Sequence, residues 1–388
     1  MTQLFRLLTA LAVATVSDAH AHSTIPTISP SGPYSVGRRA VVWTDSSRRD
    51  PTDTTRFRDV AAWIWYPAKR VSNEVAEPPL PDEWQARRLE SLQTKLGPDV
   101  ARAMQSFKVH SQTDAPVIGG NDRLPVLLFI PGLSWLASDY STLVEDLASH
   151  GYVVVGISPT GFSDPVVFPD GRIVARTLGL GEKIGTDQSY VHDDALFALE
   201  RIRHLDDGFL RDRLDLGRIG AFGHSLGGTA SLVLADHDST VRAAINIDGD
   251  AMGDVREARP HQPILLISSD IPTIDEAPQN PSRNMELVRQ GLERSEKRRT
   301  DEWTAISSQS VSAHRIRIPR TYHLNFEDAA LASGLLVTSE ARWMKFGKIE
   351  PEQGLTTLAK IVRSFFDQSF GRSSTSDICA GLDACLHL

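Results

Sequence analysis

From Leu124 onward the chain alternates between two hydrophobic patterns. The runs "LPVLLFIPG", "GYVVVGISP", "RIGAFG", "VRAAINID" and "PILLISS" are of strand length and apolar throughout, without in-out alternation. Between them, "YSTLVEDLASHG", "VHDDALFALERIRHL" and "GGTASLVLAD" place apolar residues at helical spacing. "HRIRIPRTYH" reads as a last strand and "GLTTLAKIVRSFFDQSF" as a closing helix. Strands buried on both faces and separated by helices predict a mostly parallel sheet covered on both sides, hence an α/β fold with one open sheet.

The first third follows a different rhythm. Residues 22–36 are rich in Pro, Ser and Thr and read as an irregular arm. Two strand-like runs, Arg39 to Thr44 and Val60 to Tyr66, predict an antiparallel hairpin around a polar loop over residues 46–58. Residues 74–118 open with a proline-rich turn and continue as polar helical sequence, a helical insertion suited to a lid or a pocket wall. Residues 271–312 are polar and predict a long irregular excursion between the last two strands.

The first 21 residues change the cellular picture. Arg6 precedes an apolar run from Leu7 to Val16, and Ala19-His20-Ala21 forms a small-x-small site. This is the pattern of a signal peptide, too short to span a bilayer. The expected division is therefore a signal peptide over 1–21, one α/β domain over 22–372 and a tail over 373–388, in a secreted or periplasmic protein. No later run is long enough for a membrane helix. A net charge of −8 without a basic block argues against nucleic acid as a partner. The two cysteines, Cys379 and Cys385, suit a small disulfide loop in the tail better than a structural zinc site, which wants four ligands.

Candidate chemistry centres on "RIGAFGHSLGGTASLVLA", where Ser225 lies between a strand run and a helix run inside Gly-His-Ser-Leu-Gly. A serine on a sharp strand-to-helix turn is a nucleophile elbow. Leu226, opening the helix, offers a backbone N–H to an oxyanion. A serine hydroxyl needs a base, and in this fold class the chain order is serine, acid, histidine. His314 would sit at the amino end of the last strand, the wrong edge of a parallel sheet, whereas His323 follows that strand at its carboxyl end. Two acids end strands at the same edge, Asp248 and Asp270. Spacing leaves both open and leans to Asp270. The loop "FIPGLSWLAS" offers the Leu133 N–H as a second oxyanion donor, with Trp135 beside it as a pocket wall. His192-Asp193-Asp194 could suggest metal binding but reads as the solvated face of a helix.

At this point the chain resembles the plasma-type platelet-activating-factor acetylhydrolases and their bacterial lipase and esterase relatives. The resemblance rests on "GPYSVGRRAVVW", "AAWIWYPA", "LLFIPGLSW", "DLASHGYVVV", "GHSLGG", "AINIDGD" and "YHLNFED", spread over residues 32–330. It implies an α/β-hydrolase fold with Ser225 as nucleophile, Asp248 as acid and His323 as base, and so moves the choice of acid to Asp248. It also implies oxyanion donors at Leu133 and Leu226. One departure stands out: the family's loop often reads His-Gly-Leu-Gly, whereas this chain has Pro131-Gly132-Leu133-Ser134. The expected activity is hydrolysis of a small-molecule ester or lipid through an acyl-enzyme. It would need no metal or organic cofactor, and contact with a lipid surface would be transient. The same three residues also serve amide hydrolysis, and the fold also serves non-catalytic binding proteins.

Overall fold

The computed structural model describes residues 25–70, 76–177, 189–204, 208–210, 212–251, 253–270, 285–336, 345–375 and 377–388. The expected signal peptide lies outside the described residues. The fold opens with a hairpin of β1 (Ser35–Asp50) and β2 (Asp53–Ala68). Two helices follow, α1 (Asp82–Leu96) and α2 (Pro98–Met104), then the short β3 (Gln112–Thr113) and the buried β4 (Leu124–Ile130). Next come α3 (Ser141–Ser149), β5 (Val153–Ser158), the two-residue strands β6 (Val166–Val167) and β7 (Ile173–Val174), and α4 (Ser189–Arg203). The second half runs β8 (Leu214–His224), α5 (Leu226–His237), β9 (Val241–Ile247), β10 (Ile264–Ser268), α6 (Met285–Ile306), β11 (Ala313–Arg317), α7 (Pro351–Ser369) and β12 (Leu386–His387).

The main sheet has the order β12-β11-β10-β9-β8-β4-β5-β2-β1-β3. Its centre, β5-β4-β8-β9-β10-β11, is parallel throughout, as the unalternating apolar runs predict. β2 joins β5 antiparallel, and β12 joins β11 antiparallel. Successive side chains of β4 feed opposite cores. Leu127 and Phe129 meet α3 and α7, while Val126, Leu128 and Ile130 meet α4 and α5. A strand serving two cores has no position for a polar residue, which is why its sequence lacks alternation.

Three expectations are corrected. The polar loop expected over residues 46–58 is strand almost to its tip: β1 and β2 pair down to Asp50↔Asp53, with an irregularity between Asp45 and Asp50. Polar side chains there have partners. Asp50 accepts the Thr52 N–H at 2.7 Å to close the turn, and Arg58 is buried in ion pairs. The excursion over 271–312 is not irregular throughout, because α6 occupies Met285–Ile306 and buries Trp303 and Ile306. The face of α4 carrying His192-Asp193-Asp194 is not solvated as a whole. Asp193 is half exposed, but His192 is 8% and Asp194 0% exposed. Asp194 accepts from Arg58 at 2.5 and 3.0 Å and from Arg48 at 3.0 Å, so its burial is compensated by charge.

Candidate active site

Ser225 sits between β8 and α5 with φ 55° and ψ −126°, a region that L-residues avoid. Two glycines make the turn feasible. A Cβ on Gly223 would lie 2.4 Å from the Gly227 backbone and from the Ile130 oxygen, and one on Gly227 would lie 2.1 Å from that same oxygen. The Ser225 N–H donates to the Ile247 carbonyl of β9 at 2.8 Å, which pins the turn to the neighbouring strand. Leu226 is the first residue of α5, so its N–H has no carbonyl within the helix to meet.

His323 opens a 3-10 turn, His323–Phe326, six residues past β11. Its Nε2 lies 3.0 Å from Ser225 Oγ, and its Nδ1 lies 2.7 Å from Asp248 Oδ2. Asp248 directly follows β9, with φ 52°. Its other oxygen accepts the Ser269 N–H at 2.8 Å and faces Arg299 Nη1 of α6 at 3.4 Å. Burial acts to raise the Asp248 carboxyl, but the His323 bond and charge, Arg299 and the Ser269 amide together hold it well below the ordinary carboxylate range. The rival acid has a different partner. Asp270 Oδ2 accepts the Arg320 N–H at 3.0 Å and so braces the loop leading to His323.

The loop after β4 touches the serine. A Cβ on Gly132 would come within 3.3 Å of Ser225 Cβ and 3.4 Å of Trp135 Cδ1. The Gly132 N–H donates to Tyr140 Oη at 3.3 Å, and the Tyr140 hydroxyl lies 2.8 Å from His224 Nδ1. His224 is fully buried with its ring 4.5 Å from that of His323. Burial first, and the neighbouring His323 second, push it down to about 3, so it is a neutral packing partner at ordinary pH. Trp135 is buried beneath two cations, with Arg88 4.8 Å and Lys95 5.7 Å from its ring. Leu133 follows Gly132 in this loop and is only partly buried.

Sequence reasoning missed several groups of this site. Arg299 sits in the segment read as irregular. Tyr140 and His224 pair across 84 residues, which no local pattern reveals. Asp328 is fully buried and accepts the Ser141 and Thr142 amides at 2.6 and 3.2 Å, tying the His323 segment to the start of α3. Burial pushes its carboxyl up to about 8 against those two bonds. The only signal for it was its place in "YHLNFED".

Among the described residues of the tail, one cluster gathers groups of the kind that bind metals. Cys379 and Cys385 are paired, with Cα atoms 5.6 Å apart. Asp377 and His387 gather beside Cys379, but a sulfur joined to Cys385 is no thiolate donor.

The model of the family "platelet-activating factor acetylhydrolase, isoform II" matches residues 18–159 and 202–377. The chain belongs to this family. Among its relatives, the probable 1-alkyl-2-acetylglycerophosphocholine esterase of Arthroderma benhamiae is 29% identical over 58% of this chain and 59% of its own length. Cutinase est1 of Thermobifida alba is 28% identical over 40% of this chain and 44% of its own. The chain thus spans less than two thirds of either relative. A solved ferulic acid esterase from Streptomyces cinnamoneus superposes with a TM-score of 0.72 over 93% of this chain and 98% of that one, at 23% identity. That likeness is one of fold, and the fold is that of the α/β-hydrolases.

Proposed function

We propose that this protein is a serine hydrolase of carboxylic esters working through an acyl-enzyme. The observation that carries the reading is the continuous chain Ser225 Oγ–His323 Nε2, 3.0 Å, and His323 Nδ1–Asp248 Oδ2, 2.7 Å. Asp248 accepts the Nδ1–H and so leaves Nε2 free to take a proton from Ser225. The oxygen attacks the ester carbonyl while the N–H groups of Leu133 and Leu226 hold the developing negative charge. The imidazolium at His323 is stabilised by the Asp248 carboxylate. It then returns its proton to the leaving alcohol, and water attacks the acyl-enzyme by the same route.

Family membership and named esterases among the relatives support an ester or a lipid ester as substrate. Secretion is part of the same reading. It is supported by the signal-peptide pattern and by Cys379 and Cys385, read as a disulfide closed in an oxidising compartment. Among the described residues no helix is long and apolar enough to cross a membrane.

Turnover of p-nitrophenyl esters of increasing acyl length, with Ser225→Ala as control, tests the proposal. The expected outcome is a loss on the order of 10⁴-fold or more in the variant across the series. Retained turnover would mean another nucleophile. Matched amides in parallel decide the scissile bond, and the ester is expected to be the faster.

A further inference from the structure

The loop Pro131-Gly132-Leu133-Ser134, which runs beside Ser225, carries a residue of unusual backbone conformation at Ser134. Ser134 has φ 71°, in the left-handed region that glycine enters freely and serine does not. Something must hold it there. Its N–H donates to the Phe162 carbonyl at 3.0 Å. Its carbonyl receives two cations from α1 of the insertion, Lys95 Nζ at 2.9 Å and Arg88 Nη1 at 3.3 Å.

Both cations are themselves fixed. Arg88 is 2% exposed, forms a two-pronged bond with Asp139 at 3.0 and 2.6 Å, and donates to the Asp164 carbonyl at 2.7 Å. Lys95 also donates to Ser91 Oγ at 2.6 Å and to Asp164 Oδ2 at 3.2 Å, so all three of its protons are used. Helix α1 is anchored in turn, with Trp84 Nε1 donating to the Pro165 carbonyl at 2.6 Å and Leu92 and Leu96 buried in the core.

The structure assigns Arg88 and Lys95 as positioning residues that clamp the Ser134 carbonyl and so hold the Leu133 amide toward the serine. The insertion is then a fixed buttress of the oxyanion loop rather than a lid. This inference rests on the ester-hydrolase reading for its kinetic consequence, but not for its structural one.

The clamp carries a pH signature. Burial, and then the like charge of Arg88, push Lys95 down to about 8, against Asp164 and Asp139, which raise it. The buried Glu327 feels both cations, and Lys345 Nζ lies 3.4 Å from the Lys95 carbonyl. As pH rises through about 8, Lys95 loses its charge and its grip on Ser134 weakens.

The test uses Lys95→Met, an isostere at a side chain 23% exposed, which avoids the fully buried Arg88. On p-nitrophenyl acetate it should lower kcat about tenfold, less than the 10²–10³ of losing an oxyanion donor outright, with KM within about twofold. The wild-type fall in kcat through pH 8 should be absent from the variant. Adding Ser134→Gly should recover most of the loss, because glycine needs no clamp at that φ. Hydrogen exchange gives a readout independent of any substrate: amides of residues 132–136 should exchange at least about threefold faster in Lys95→Met, with β4 unchanged. Unchanged exchange over 132–136 overturns the clamp whatever the enzyme hydrolyses. Faster exchange with unaltered kcat overturns its part in positioning. Wild-type protein without Ser225-dependent esterase activity would sink the hydrolase reading instead, and the exchange result would still decide the clamp.

Discussion

Ser225 and Asp248 both directly follow a strand and both have positive φ, 55° and 52°. Each such residue costs of order 1–3 kcal/mol and persists only where its surroundings over-determine it. Here Ser225 is held by the Ile247 carbonyl and Asp248 by the Ile267 carbonyl. The glycine-flanked serine was legible in the chain because its requirements are local: a sharp turn, no Cβ on either side, a helix to follow. The choice of acid was not legible in this way. Asp248 and Asp270 both end strands at the same edge, and only tertiary geometry separates an oxygen 2.7 Å from His323 from one that braces Arg320. Family likeness, not spacing, pointed to Asp248. The prediction at this scale is a contrast. Asp248→Asn should lower kcat by about 10⁴-fold by offering the wrong partner to His323 Nδ1, whereas Asp270→Asn should keep it within about tenfold. Steady-state kinetics on one ester measures both, and equal losses would reopen the choice.

At the scale of elements, the parallel strands and their helices could be read from the chain because burial on both faces leaves an unmistakable pattern. The hairpin tip could not. Residues 46–58 are polar, and polarity reads as loop unless the partners are known. Those partners lie far away in sequence: Arg58 reaches Asp194 across 136 residues, and Arg48 reaches it across 146. The same blindness made His192-Asp193-Asp194 look like a solvated face. These ion pairs fasten the far end of β1 and β2 to α4. Asp194→Ala would leave Arg58, 1% exposed, with Asp50 as its remaining carboxylate. The expected cost is about 3–5 kcal/mol, measured by urea denaturation, because a buried charge would lose its main partner. A change below about 1 kcal/mol would mean that Asp50 and the Thr160 carbonyl, which accepts from Arg58 Nη2 at 3.0 Å, suffice to satisfy it.

For the whole molecule, the sheet does the gathering. Ser225, Asp248 and His323 come from three separate β-to-helix or β-to-loop junctions, and parallel strands β8, β9, β10 and β11 deliver all three to one rim. The loop after β4, which we propose holds the oxyanion, reaches the same rim beside β8, and Arg88 and Lys95 of α1 bond to it at Ser134. The family model matches both the early strands and this rim, so the resemblance read from "GHSLGG" and "YHLNFED" extends to the architecture that joins them. The central claim is that Ser225 is a nucleophile activated by His323. Reaction of the folded protein with a fluorophosphonate, followed by peptide mass mapping, tests it most directly. The account predicts a single adduct on the peptide carrying Ser225, formed at least about 10²-fold more slowly in His323→Ala. No adduct on the folded protein, or one on another serine, would contradict it.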